Sequence, residues 1–255
     1  MTDPIGAPAA TALSIDLPTP SVAMAIGAHP DDVEFGCGGT FAKWANAGCR
    51  IHHLICTDGS KGTWDADQSP AALVASRQEE QREASRRLGG EGEVVFLGWP
   101  DGELDSSVRQ RWQVAFWIRR LRPDVVLGHD PWKRYRLHPD HRHAGFLATD
   151  GIVAARDPLF FPEQGERPHR PEALLLWEAD EPDHVENIEG FERCKLDALL
   201  AHRSQFRSTM RINDPAGAET EELASFVARL NAHHARAGAK AGLAAAEAFK
   251  ALRDL

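Results

Sequence analysis

Cysteine is scarce in this sequence: Cys37, Cys49, Cys56 and Cys194 are the whole complement, and no two form a C-x-x-C pair. With no disulfide framework to read, the four are expected to be buried thiols in a reducing compartment. An excess of cations is missing as well. The formal net charge of -9 argues against a general nucleic-acid binder, whose phosphate contacts need clustered Lys and Arg, while leaving room for a local basic pocket. No stretch is long and apolar enough to span a membrane, and residues 1–20 lack the basic start and apolar core of a signal peptide. These absences point to a cytoplasmic protein with neither nucleic acid nor membrane as a partner. The rest is ordinary for a folded chain, with 42% hydrophobic and 26% charged residues over 255 positions. That is enough for one α/β domain over 21–255 behind a flexible N-terminal tail over 1–20.

Short apolar runs bounded by breakers recur and read as buried strands, at about residues 22–26, 50–56, 93–97, 124–128 and 173–177. Helical patterns lie between them, over about 41–47, 73–88, 106–122, 139–155 and 191–202. A last helix from about Glu221 carries Leu223, Phe226, Val227 and Leu230 at helical spacing. This alternation predicts a Rossmann-like, doubly wound and mostly parallel sheet with helices on both faces. Residues 156–255 are expected to be less regular, ending in a helical or irregular extension. An order of 3-2-1-4-5 makes the first and fourth strands neighbours, and ligands in such sheets lie beyond the carboxyl ends of the strands at that switch point.

The loop after the first strand reads Ala28-His29-Pro30-Asp31-Asp32-Val33-Glu34. Pro30 stiffens the turn, and a histidine beside two carboxylates offers ligands for a divalent cation and a base. The plain alternative is an Asp-rich turn capping the next helix. The loop after the fourth strand leads to His138-Pro139-Asp140-His141, which opens a helix with His138 and His141 three residues apart. Two segments of matching chemistry thus meet at the switch point. Two histidines and a carboxylate leave a coordination position open, the pattern of a catalytic site. Zinc is the default for hydrolysis there, and Fe(II) uses a similar set. Spacing alone does not say which aspartate binds metal and which acts as base.

Together with Gly38-Gly39-Thr40, Thr57-Asp58-Gly59, Arg77-x-x-Glu80 and Leu97-Gly98-Trp99-Pro100-Asp101-Gly102, these loops resemble the PIG-L/LmbE-like zinc deacetylases. Lys195 and the segment from Ala201 to Gln205 resemble lesser motifs of the same family. The resemblance implies one Zn2+ per chain, held by His29, Asp32 and His141. It implies Asp31 as general base, His138 as stabiliser of the oxyanion and Asp140 as the group holding a histidine in its working tautomer. Arg77 and Asp101 would contact the substrate. The activity implied is removal of the N-acetyl group from an N-acetylglucosamine-type sugar, a small-molecule substrate, in a protein that can form homo-oligomers. The alternatives are a zinc amidase acting on a larger conjugate such as a thiol-sugar, a non-haem Fe(II) enzyme, and a binding protein without catalysis.

Other signals are weaker. Gly36-Cys37-Gly38-Gly39-Thr40-Phe41 lacks the third glycine of a dinucleotide fingerprint. Trp132-Lys133-Arg134-Tyr135-Arg136 reads as a rim for a polar or anionic substrate. His129-Asp130 is placed behind the site, His52 and His53 are read as structural, and His233-His234 as a surface pair remote from it.

Overall fold

The computed structural model describes residues 13–213 and 220–255. Eight strands form one sheet in the order β1-β7-β8-β6-β5-β2-β3-β4. They are β1 (Ser14–Ile15), β2 (Val22–Gly27), β3 (Arg50–Thr57), β4 (Val94–Trp99), β5 (Val125–His129), β6 (Ala173–Trp177), β7 (His184–Asn187) and β8 (Ala246–Arg253). The run β4-β3-β2-β5-β6 is parallel and is the 3-2-1-4-5 order that the sequence predicts. β2 is central: Met24 pairs with His52 on one side and Val126 on the other.

Alternation along β2 feeds two cores. Ala23 and Ala25 face α1 (Asp32–Asn46), α2 (Pro70–Arg87) and α5 (Glu192–Leu199), in a cluster with Phe41, Trp44 and Leu88. Met24 and Ile26 face α3 (Val108–Leu121) and α4 (Pro139–Arg156), in a cluster with Val114, Ile118, Leu147 and Ile152. Each large apolar side chain buried in this way contributes about 1.5–3 kcal/mol. Burial on both faces explains why these strands read as continuous apolar runs.

Two expectations are corrected here. The C-terminal part does not end in helix: α6 (Glu221–Gly238) gives way to β8, which inserts antiparallel between β6 and β7. Its sequence, AEAFKALR, is rich in good helix formers, but burial of Ala246, Phe249 and Glu247 in the sheet overrides propensity. The tail expected over 1–20 is in the sheet by Ser14, because β1 pairs parallel with β7; residues 1–12 lie outside the described residues. Among the described residues no helix is long and apolar enough to cross a membrane.

Candidate active site

β2 ends at Gly27, and the Ala28 carbonyl is tied to the end of β3 by the Thr57 N–H and hydroxyl, both at 2.8 Å. The next turn is strained. Asp31 sits at φ 105°, a left-handed conformation that costs a non-glycine residue about 1–3 kcal/mol. Its surroundings over-determine it. Arg77 donates to the Pro30 carbonyl at 2.6 Å and the Gly59 carbonyl at 3.0 Å. Gln81 accepts the Asp31 N–H at 3.0 Å and donates to Glu34 at 2.7 Å. Glu34 in turn meets His202 at 3.1 Å and His53 at 3.4 Å, all three fully buried.

The two loops meet at the carboxyl ends of β2 and β5. His29 Nδ1 lies 3.2 Å from His141 Nε2 and 3.4 Å from Asp32 Oδ2, and His141 Nε2 lies 3.5 Å from Asp32 Oδ1. Zinc bonds of about 2.0–2.1 Å at tetrahedral angles hold ligand atoms at roughly this separation. Among the described residues three overlapping groups have donors close enough to share one ion: His29-His138-His141, Asp32-His129-His141 and His29-Asp101-Asp140. The His138 ring stacks on His141 with centroids 4.9 Å apart and stands edge-on to His29 at 4.7 Å.

Carboxylates surround His29. Its Nε2 faces Asp140 Oδ2 at 3.1 Å and Asp101 Oδ1 at 3.3 Å. Asp140 is held by the N–H groups of Gly102 at 2.6 Å and Leu104 at 3.2 Å. Asp101 accepts the Lys61 N–H at 3.1 Å. With Nε2–H given to these acids, the Nδ1 lone pair points to Asp32 and His141, the arrangement that a metal-bound histidine needs.

The electrostatics ask for a cation. Burial opposes charge on His29, but Asp101, Asp140 and Asp32 overcome it and hold its pKa well above the ordinary range. Burial likewise opposes charge on Asp32, yet His141, His129 and His29 hold its carboxyl well below the usual value. His141 goes the other way: burial pushes it down to about 3, so the ring stays neutral. Burial pushes Asp31 up to about 6, resisted by Arg77, whose guanidinium is 3.7 Å away, and reinforced by Asp32. Asp31, Asp32, Asp101 and Asp140 are all buried here, and Arg77 is the buried cation beside them. The donor set and its surplus of negative charge therefore fit a divalent ion.

All eight residues singled out from the sequence converge on this place: His29, Asp31, Asp32, Arg77, Asp101, His138 and His141 line one cleft of about 550 Å3, and Asp140 supports it from behind. His129, expected behind the site, and Arg136, expected on its rim, both reach the cluster. His129 ends β5 and reaches Asp32 Oδ2 at 3.2 Å. Burial works against a charge on His129 and Asp32 and Glu178 overcome it, but the Trp177 N–H occupies its Nδ1, so the ring holds its proton on Nε2. Arg136 bonds to His141 and pairs with Glu178 at 2.8 Å at the mouth. The strand-end position of His129 points to it in the sequence, whereas nothing local marks Trp177, Gln81 or Glu178. The expectation for His233-His234 is corrected in part: His234 is 1% exposed, while His233 is exposed as expected but lines a chamber next to the cleft. α6 folds back over the strand ends, a placement that its own periodicity does not encode.

Comparison with known proteins adds an independent line. The family model described as PIG-L, GlcNAc-PI de-N-acetylase, matches residues 24–152. The diacetylchitobiose deacetylase of Thermococcus kodakarensis is 36% identical over 186 residues, covering 72% of this chain and 69% of that protein. A 1D-myo-inositol 2-acetamido-2-deoxy-alpha-D-glucopyranoside deacetylase of Streptomyces avermitilis is 30% identical over 232 residues, covering 82% and 76%. Among solved structures, the N,N'-diacetylchitobiose deacetylase of Pyrococcus horikoshii in complex with its inhibitor MPG aligns with a TM-score of 0.81 at 29% identity, over 92% of this chain and 84% of that one. The 4-carboxy-2-hydroxymuconate hydratase of Pseudomonas putida aligns with a TM-score of 0.73 at 20% identity, over 92% and 97%, a likeness of fold alone. The matched span contains both histidine-aspartate loops and half the chain, and the chain belongs to the PIG-L family.

Proposed function

We propose that this protein is a zinc-dependent hydrolase that removes the acetyl group from an N-acetylglucosamine-type sugar. The observation that carries the reading is the trio of His29 Nδ1, Asp32 and His141 Nε2, 3.2–3.5 Å apart, beside a buried and strained Asp31. The relatives named as deacetylases of diacetylchitobiose and of an acetamido-glucopyranoside support the substrate class.

His29, Asp32 and His141 would hold the ion. When bound, zinc supplies a Lewis acid for the amide carbonyl and lowers the pKa of water toward about 7. Asp31 lines the cleft with a pKa raised to about 6, so its carboxylate takes the proton of the attacking water and returns it to the departing amine nitrogen. His138 is kept neutral by burial and by neighbouring His29, and its ring N–H donates to the amide oxygen as negative charge builds there. Asp140 holds His29 with its Nε2 proton turned away from the ligand nitrogen. Arg77 and Asp101, both in the cleft lining, would contact the sugar, and each also braces a loop of the site.

The test is an acetate-release assay across N-acetylglucosamine, diacetylchitobiose and a thiol-sugar conjugate, with zinc quantified in the same sample. Acetate release that tracks zinc content and stops with a chelator is expected. No release from any member of the panel by zinc-loaded protein overturns the reading, and release from the thiol-sugar conjugate alone favours the amidase.

A further inference from the structure

An aspartate that opens a helix ordinarily has extended backbone and bends its carboxylate back onto the N–H groups of the first turn. Asp31 opens α1 and does neither. Its φ is 105°, and its side chain accepts no cap hydrogen bond. The strained turn thus leaves the carboxylate free to line the cleft. Glu34, three residues on, would complete a capping box, in which the later carboxylate reaches back to the N–H of the capping residue. That box is open here, because a third side chain stands in its middle.

The intruder is Gln81 of α2. Its Oε1 accepts the Asp31 N–H at 3.0 Å, and its Nε2 donates to Glu34 Oε1 at 2.7 Å. A carboxylate accepts and does not donate, so Glu34 holds the NH2 end of the amide and leaves the carbonyl end for Asp31. Glu34 is fixed in turn by His202 Nε2 at 3.1 Å from its other oxygen. Glu80, beside Gln81, accepts the Ser204 N–H at 2.8 Å and hydroxyl at 2.6 Å, which ties the turn after His202 to the same helix. Gln81, Glu34 and His202 are fully buried, and none of them lines the cleft.

We propose that Gln81 is a positioning residue for the reaction: it keeps the capping box of Asp31 and Glu34 from closing, and so keeps the carboxylate of Asp31 in the cleft. Without the amide, the Asp31 N–H has Glu34 as its nearest alternative acceptor. Asp31 then relaxes to extended backbone, and its carboxylate turns onto the first-turn N–H groups of α1, away from the substrate. The proposal rests on the deacetylase reading for the task of Asp31, but the conformation of the turn is measurable without turnover.

The experiment is Gln81→Met, close in volume and without an amide, made in the wild type and in Asp31→Asn. Zinc-loaded proteins are compared on the sugar that the wild type deacetylates fastest. In the wild-type background kcat is expected to fall about 10–100-fold with little change in KM, the usual cost of a misplaced catalytic group. In the Asp31→Asn background the same substitution is expected to change kcat by no more than about twofold, since the group it positions is gone. Leu88→Ala, a core truncation at the far end of α2, controls for lost stability and should leave kcat unchanged. A crystal structure of Gln81→Met is expected to show Asp31 at negative φ with its carboxylate on the N–H of Val33 or Glu34. Should Gln81→Met not fold, Gln81→Glu with Glu34→Gln keeps both the acceptor for Asp31 and a hydrogen bond between the two side chains. That exchange is expected to hold kcat within about threefold of the wild type, and a loss as large as that of Asp31→Asn overturns the proposal. So does an unchanged kcat in Gln81→Met, an equal loss in both backgrounds, or an Asp31 that keeps its positive φ. No acetate release from the wild type overturns the deacetylase reading instead, and the crystal structure then decides the role of Gln81 alone.

Discussion

The indole N–H of Trp177 donates to Nδ1 of His129 at 3.0 Å, and the two residues are register partners at the ends of adjacent parallel strands. The sheet itself thus fixes the His129 tautomer. With Nδ1 an acceptor, the proton is on Nε2, 3.2 Å from Asp32 Oδ2. That oxygen also accepts the His29 backbone N–H at 2.7 Å. One oxygen of Asp32 is thereby committed to protein donors, and Oδ1 is the one turned to His141.

His129→Phe keeps an aromatic ring at the end of β5 and removes the donor. Groups that orient a metal ligand are worth about 10–100-fold in affinity, and a loss of that size for zinc is expected. Trp177→Phe removes only the N–H and should cost less. Competition against a chromophoric chelator measures both. Unchanged affinity in His129→Phe would show that Asp32 needs no such partner.

Asp31→Asn separates base from ligand. Zinc content should persist while kcat falls by about 10²–10⁴, the usual worth of a general base. On the proposed mechanism Asp31 works as base only when ionised, so kcat/KM should rise with pH on an acid limb at or below about 6, a bound cation pulling it downward. A variant with full activity would remove Asp31 from the reaction.

What the sequence made legible was the part set by strand order. His29 and His141 are 112 positions apart, and they meet because β2 and β5 are neighbours, an arrangement that the alternation of apolar runs implies. What stayed hidden depends on register or on a partner's side chain. His129 and Trp177 match only once β5 and β6 are aligned residue by residue. Gln81 looks like one more polar residue in a charged helix, and its role appears only where the Asp31 turn presents an N–H to it. His234 is buried because α6 packs across β8, a strand that its own composition disguises.

Lys195 and Glu247 join α5 to β8 under α1. Lys195 donates to Glu247 at 2.6 Å and the Phe35 carbonyl at 2.8 Å, and Glu247 also accepts the N–H groups of Gly39 and Thr40 and the Thr40 hydroxyl. Burial alone would raise the Glu247 pKa; Lys195 and Thr40 overcome it and hold it below the ordinary 4.5. A lowered folded value means that this stabilisation is complete above about 4.5 and is lost as pH falls through the folded value. Lys195→Met should cost about 3–5 kcal/mol in urea unfolding at pH 7, since it strands a buried carboxylate. Adding Glu247→Gln should recover much of that. A double variant no more stable than the single would mean that the lysine acts through packing.

Gly36 offers a way to disturb the centre from behind. A Cβ there would stand 2.5 Å from Cδ2 and 2.7 Å from Cε2 of the Trp177 indole. The indole has little room to retreat, being 2% exposed and tethered to His129. The strain in Gly36→Ala must therefore go either into α1, whose helical geometry already breaks at Cys37 with φ -149°, or into the Trp177–His129 contact. A destabilisation of about 1–3 kcal/mol is expected from overpacking. If Trp177 carries the strain, zinc affinity falls as well, and falls less when Gly36→Ala is made in a Trp177→Leu background, where the clash is gone. A double-mutant cycle on zinc affinity reads this directly. Coupling beyond about 0.5 kcal/mol places Trp177 between the helix and the metal site, whereas additivity within that margin sends the strain into α1 and leaves the His129 contact intact.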